Sequence, residues 1–394
     1  MTKTRFAARL AKLSFSSSLA TIRRNRALRD RGIEIHDFGS KADTPEHIKR
    51  AAIEYLQSKT ASLYADPRGI PELRAAIARK LKDENGVTAD PETEITVCAG
   101  GKQGILAALL ALVDRGDEVL LEDPGWLSFE PMVRIAGANP VPIPLIEKDG
   151  FRFRIEDLEK RITRKTRLIL LCNPHNPTGR VFTRADLDAI ARVAVERNLL
   201  VLMDEAYEKF IYDDHAHVSI ATLRSMRERT ITVQTASKIY NMFGWRVGWV
   251  VAPAEISARI QMVSSHSITC VTSFAQAGAA AALAQPIAQG GITMEALNRN
   301  YQLQRDALMA GLREIPGITC QVPAGAYFAF PRIKSFGLAS QAMTDALFEK
   351  VHVSCIPGSV FGKRGEGHLR FVFNAPVAEI EAGVARLKQF FRTL

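Results

Sequence analysis

Four short apolar runs, Glu118 to Leu121, Pro140 to Pro144, Leu168 to Leu171 and Leu200 to Met203, show almost no polar alternation. A strand with one face in water alternates, because successive side chains point to opposite faces. A strand covered on both faces does not, and such strands belong to parallel sheets flanked by helices. Helical patterns stand at hand to cover them. Pro45 to Gln57 is amphipathic, and Pro71 to Glu84 carries Leu73, Ile77 and Leu81 on one stripe. An alanine- and leucine-rich helix runs to Val113, and another covers Arg184 to Arg197. Strand-like Glu94 to Cys98, Thr230 to Thr235 and Trp245 to Val251 extend the set. Alternation of this kind predicts an α/β fold: a three-layer α/β/α domain with a mainly parallel sheet.

Past Ala284 the pattern changes. A polar-faced helix, Met294 to Glu314, precedes strand-like Thr319 to Val322 and Ala326 to Pro331. A helix near Ala339 to Lys350, strands at Val353 to Ile356 and His368 to Phe373, and a last helix, Val377 to Phe391, follow. A chain of 394 residues exceeds one ordinary core. The expected division is an N-terminal segment (1–43) packing with a small α+β domain (284–394), and a large domain (44–283) between them.

Hydrophobic residues at 47% and charged residues at 24% are the balance of a soluble globular protein, and no apolar run reaches a membrane span. The five cysteines form no Cys-x-x-Cys pair, so neither a disulfide framework nor a zinc site is expected, and a cytoplasmic location is the simplest account. Much of the net charge of +10 sits near the start, where Lys3, Arg5, Arg9, Lys12, Arg23, Arg24, Arg26, Arg29 and Arg31 meet only Asp30. Such a stretch suits an organelle transit peptide. Against that, residues 19–32 read as a helix ending at Gly32 and leading into strand-like Ile33 to Phe38. The basic residues lack interleaved aromatics, so no nucleic acid is expected as a partner; anionic small molecules suffice to explain the surplus.

Four loops follow predicted strands, where open α/β sheets bind ligands. Gly100-Gly101-Lys102 opens a helix, and free N–H groups at a helix start suit a phosphate. Cys172-Asn173-Pro174-His175-Asn176-Pro177-Thr178-Gly179 is a turn fixed by two Asn-Pro pairs. Asp204-Glu205-Ala206-Tyr207 puts a carboxylate at the end of an apolar strand, costly to bury without a cation, although capping of a following helix reads equally well locally. Thr235-Ala236-Ser237-Lys238 to Trp249 holds Lys238 and Arg246 between two buried-looking runs. A desolvated amine suits imine formation with a carbonyl, and a guanidinium suits an anion beside it; a surface turn with two cations is the plain alternative.

Together these loops resemble the class I and II aminotransferases, pyridoxal-phosphate enzymes of fold type I. The likeness spans nearly the whole chain and includes Leu63 to Arg74 early and Gly365 to Arg370 late. It implies pyridoxal 5′-phosphate joined to Lys238 as an imine, with the freed Lys238 amine then acting as the general base. It implies Asp204 on the pyridine nitrogen, and Tyr207 and Asn176 on the phenolic oxygen. Gly100, Gly101, Lys102, Thr235, Ser237 and Arg246 would hold the phosphate, with Trp126 stacked on the ring. Arg370 would grip the substrate α-carboxylate, helped by Asn176, Trp126 and the Gly39 backbone. Tyr64 would reach the phosphate of a neighbouring subunit, so a homodimer with shared sites is implied. No metal is expected.

The implied reaction moves an amino group between an L-amino acid and a 2-oxo acid by a ping-pong cycle. The same residues would also serve elimination, replacement or carbon–carbon bond formation. A ligand-sensing domain of a transcription regulator would need a DNA-binding domain ahead of the Ile33 strand, where there is no room for one. Two departures bear on substrate choice. Gly39-Ser40-Lys41-Ala42-Asp43-Thr44-Pro45 is one residue shorter than the family's segment and lacks its aromatic. Ser264 to Ser273, with His266, contains no arginine for a second carboxylate, although Lys41, Lys102 or another cation could substitute.

Overall fold

The computed structural model describes residues 7–10, 13–15, 17–285 and 291–394; Lys3, Arg5 and Lys12 of the basic N-terminus lie outside them. The helices are α1 (Ser17–Arg29), α2 (Glu46–Leu56), α3 (Pro71–Asn85), α4 (Gly101–Leu112), α5 (Phe129–Ile135) and α6 (Ile155–Glu159). They continue with α7 (Arg184–Glu196), α8 (Ala254–Ser267), α9 (Ser273–Ala284), α10 (Met294–Arg313), α11 (Ser340–Val351) and α12 (Val377–Phe391). Their ends follow local chemistry. Proline begins α3 and Gly86, at φ 67°, closes it. Thr183 and Asp186 form a reciprocal capping box on α7.

Seven strands build the main sheet: β1 (Ile95–Cys98), β2 (Glu118–Asp123), β3 (Asn139–Pro144), β4 (Thr166–Cys172), β5 (Leu200–Asp204), β6 (Thr230–Thr235) and β7 (Gly248–Val251). Their order is β1-β7-β6-β5-β4-β2-β3, and β7 runs against both its neighbours while the remaining pairs are parallel. The carboxyl ends of β1, β2, β4, β5 and β6 therefore share one edge.

The lack of alternation has its cause in the packing. Leu168, Leu170 and Leu202 join a core with Ile105 and Leu109 of α4. Ile169, Leu171, Val201 and Met203, between them in sequence, join a second core with Leu187 and Ile190 of α7. Both faces are apolar because both are covered.

A second sheet, β8 (Phe328–Ala329), β10 (Leu369–Val372) and β9 (Ile356–Pro357) in that order, is antiparallel. Residues 33–38 lie against it as a single parallel bridge, His36 to Val353, and not as the strand expected. Phe38, at φ 53°, leaves the extended region and ends the run. Thr319 to Val322 is likewise reduced to one bridge, Thr319 to Arg332. Pro331 beside it has no N–H to continue a ladder. Ser264 to Ser273 is half helix, its first residues completing α8. Among the described residues no helix is long and apolar enough to cross a membrane.

Candidate active site

The loops at the shared carboxyl edge converge on the Lys238 side chain. Its Nζ lies 4.8 Å from the Phe243 ring centroid and 5.6 Å from that of Tyr207. Burial lowers its pKa to about 8, with Arg370, Arg246 and Lys102 pushing the same way and Asp204 opposing. An amine so placed is uncharged in about a tenth of molecules at pH 7, far more than a lysine at the ordinary value of 10.5.

Asp204 ends β5 beside Cys172 of β4 and is 7% exposed. Burial pushes its carboxyl up to about 6, against the pull of the Ala206 N–H, 3.1 Å from Oδ1, and of Lys238. It is held next to the lysine without forming a closed ion pair. Tyr207 is buried edge-on against Tyr327 and Phe328, with centroids 5.3 and 5.1 Å away, and burial raises its phenol.

Gly100, at φ 78°, precedes the first turn of α4. A Cβ there would sit 2.4 Å from Nη2 of Arg246 and would push the guanidinium off the loop, and φ 78° itself favours glycine. Arg246 donates from Nη1 to the Phe243 carbonyl (2.9 Å) and from Nη2 to that of Ala99 (3.3 Å). Thr235 Oγ accepts from the Ser237 N–H (3.1 Å) and lies 2.9 Å from both Ser237 Oγ and the Val247 carbonyl. Two hydroxyls and a guanidinium thus lie beside the start of α4, with Gly100 against Arg246 and Gly101 against Thr235. Lys102 Nζ stands 5.2 Å from the Trp126 ring, and burial together with Arg246 lowers its pKa.

Arg370 comes from the second sheet, on β10. Its Nη1 donates to Asn176 Oδ1 at 3.0 Å, and its guanidinium lies over Phe328 (4.6 Å) and Phe361 (5.0 Å). Its Nε is buried with no hydrogen-bond partner among the described residues. Burial lowers its pKa to about 10, with the Tyr207 and Tyr327 phenols opposing. A desolvated guanidinium set on an amide and two rings is an anion site with capacity to spare.

Comparison with known proteins decides what this edge belongs to. The sequence model of the family "Aminotransferase class I and II" matches residues 33–387. The chain belongs to that family. An aspartate aminotransferase of Pyrococcus abyssi is 40% identical over 361 residues, 92% of this chain and 91% of that protein. The aromatic-amino-acid aminotransferase 2 of Thermococcus litoralis is 39% identical over the same shares of each. The solved structure of Thermus thermophilus aspartate aminotransferase with maleate superposes with a TM-score of 0.90 at 31% identity, covering 98% of this chain and all of that one.

The cofactor of class I and II aminotransferases is pyridoxal 5′-phosphate, and the residues present fit it. Gly100, where an added Cβ would meet Arg246, stands at the same sheet edge as an acid with a raised pKa and an amine with a lowered one, and Asp204 and Arg246 both act on the Lys238 amine. The expected site residues Lys238, Asp204, Tyr207, Asn176, Arg370, Gly100, Arg246, Thr235 and Ser237 are brought to this edge by the fold. Gly39 follows Phe38, whose ring meets Phe371 of β10 at 5.8 Å, and its N–H donates to Asp37 Oδ1 at 3.2 Å. Tyr64 stands apart, 88% exposed. Lys41, a cation able to meet a second substrate carboxylate, is paired with Glu379 at 2.8 Å, whereas Lys102 lies over the Trp126 ring.

Several participants escape the sequence reading. Phe243, Tyr327, Phe328 and Phe361 wall the site and lie far apart in the chain. Glu122, 1% exposed at the end of β2, gives the same signal as Asp204, a carboxylate closing an apolar strand. Glu205, Glu208 and His217 have atoms close enough to share a cation, but the Lys80 ammonium is already bonded to Glu208.

Proposed function

We propose that this aminotransferase moves the amino group of an L-amino acid to a 2-oxo acid, with Lys238 as both cofactor anchor and proton carrier. The desolvated Lys238 amine, its pKa near 8 between Asp204 and three cations, carries the reading. Pyridoxal phosphate supplies an electron sink for the pair released when the substrate Cα–H bond breaks. Lys238 takes the Cα proton and returns it one position away, a transfer that needs an uncharged amine on one side of the substrate. Asp204 would favour a proton on the ring nitrogen, which accounts for a carboxylate at the buried end of β5. Asn176 and Tyr207 bond the phenolic oxygen. Gly100, Gly101, Lys102, Thr235, Ser237 and Arg246 hold the phosphate, and Trp126 covers the ring. Arg370 binds the α-carboxylate through its fork, with Asn176 and the Gly39 backbone beside it.

The working unit is a homodimer. Leu63, Tyr64, Ile53 and Leu56 are 66%, 88%, 52% and 51% exposed, an apolar group that water does not favour and a second copy would cover. Tyr64 then reaches the partner's phosphate. The free cysteines suit the cytoplasm.

The test is a half-reaction. Purified protein mixed with one amino acid should convert its cofactor stoichiometrically to the amine form, and a 2-oxo acid should reverse the change. Lys238→Ala should lose turnover by roughly 10²–10⁴-fold or more. Ammonia release in place of reversible conversion would point instead to elimination, and normal turnover in Lys238→Ala would sink the reading.

A further inference from the structure

Asn176 sits on a loop whose two ends are held by one side chain from another strand. The Cys172 N–H donates to Glu122 Oε2 at 3.1 Å, and Arg180 Nη2 donates to Glu122 Oε1 at 2.9 Å. His175, in the middle of the loop, places Nε2 3.5 Å from Glu122 Oε2, while its Nδ1 lies 2.7 Å from Thr178 Oγ. Backbone bonds from His175 N–H to the Arg180 carbonyl and from Gly179 N–H to the His175 carbonyl, both 2.8 Å, close the loop on itself. Glu122, His175 and Arg180 are 1%, 0% and 9% exposed, and the guanidinium is stacked 4.1 Å from the Phe182 ring. Such a carboxylate and guanidinium are costly to bury, and an apolar pair of the same shape would pack here at lower cost. What the ionic pair adds is direction, because each oxygen of Glu122 meets a different end of the loop.

We propose that Glu122 is a positioning residue that sets Asn176, and through it Arg370, for carboxylate binding. The inference rests on the reading that Arg370 takes the substrate carboxylate. The Arg370 guanidinium has one hydrogen-bond partner among the described residues, the Asn176 side-chain Oδ1. The Phe328 and Phe361 rings, 4.6 and 5.0 Å from it, offer no hydrogen-bond acceptor, so the direction of its polar contact is set by Asn176, and Asn176 stands where Glu122 holds its loop.

Glu122→Gln keeps the shape and removes the charge that holds Arg180. With the cofactor-loaded enzyme, equilibrium binding of the unreactive carboxylates succinate and 3-phenylpropionate is followed through the cofactor absorbance. Expected is about tenfold weaker binding in Glu122→Gln. In an Asn176→Ala background the same substitution should cause no further loss, because the residue it acts through is gone. A general structural defect would persist there. Should Glu122→Gln not fold, Glu122→Asp, which can keep only one of the two contacts, serves in its place with the same two arms. Wild-type affinity in the folded variant, or an undiminished loss in the Asn176→Ala background, overturns the proposal. A wild-type enzyme that lacks the cofactor band or the half-reaction would instead overturn the reading of the site.

Discussion

At the residue scale, the acid–base pair of the site is set by burial. Lys238 and Asp204 are displaced toward each other, the amine down to about 8 and the carboxyl up to about 6. Both shifts oppose charge in a dry place. The sign gives a prediction for the cofactor-free protein. Below about pH 8 the lysine is mostly ammonium and cannot attack an aldehyde; above it the amine is free. The rate of pyridoxal-phosphate capture, followed by absorbance, should rise through about pH 8 and then level. A rate still climbing toward the ordinary lysine value of 10.5 would show that Lys238 is not desolvated. Asp204→Asn should lower turnover by roughly 10²–10³-fold, since it removes one fixed charge at the reacting ring. Its fold, read by thermal melting, should remain, as Asp204 makes little of the packing.

At the element scale, close approach depends on missing side chains. Gly100→Ala would place a methyl 2.4 Å from Arg246 Nη2 and hold a non-glycine residue at φ 78°. Cofactor affinity should fall by about one to two powers of ten, measured by equilibrium dialysis. Gly311 on α10 meets Val384 of α12, and a Cβ there would lie 2.3 Å from Val384 Cγ1. Gly311→Ala should cost about 1–3 kcal/mol in denaturant unfolding despite alanine's better helix propensity. Val384→Ala should recover part of that loss by making room. Much of this scale was legible beforehand: α12 and β6 run over the residues expected, and most other elements shift by a residue or two. The exceptions have reasons. Residues 33–38 and 319–322 have strand composition, yet Phe38 turns the first away and Pro331 denies the second a ladder. Helices α8 and α9 leave little apolar periodicity in sequence, being rich in serine and alanine.

At the scale of the whole molecule, the apolar surface around Tyr64 carries a prediction of its own. Leu63→Glu should shift the protein toward monomer in sedimentation velocity, and activity should fall with the dimer fraction; a monomeric wild type of full activity would refute the shared site. The sequence by itself determined the sheet, the order of its layers and the four loops at its carboxyl edge. Those features are local: two-faced burial writes an unalternating strand, and a loop's prolines and glycines write its turns. Lys238, Asp204 and Gly100 stand beside strand ends by the same local logic, and the likeness to a known family sets them apart from a surface turn or a helix cap. Only the tertiary structure decided what surrounds them. Arg370 reaches Asn176 from a different sheet, Phe243 and Tyr207 flank the amine from separate loops, and Glu122 grips the Asn176 loop from the strand beside it. Contacts between residues so far apart in the chain leave no periodic trace in sequence, because they depend on how layers pack and not on how any one segment folds.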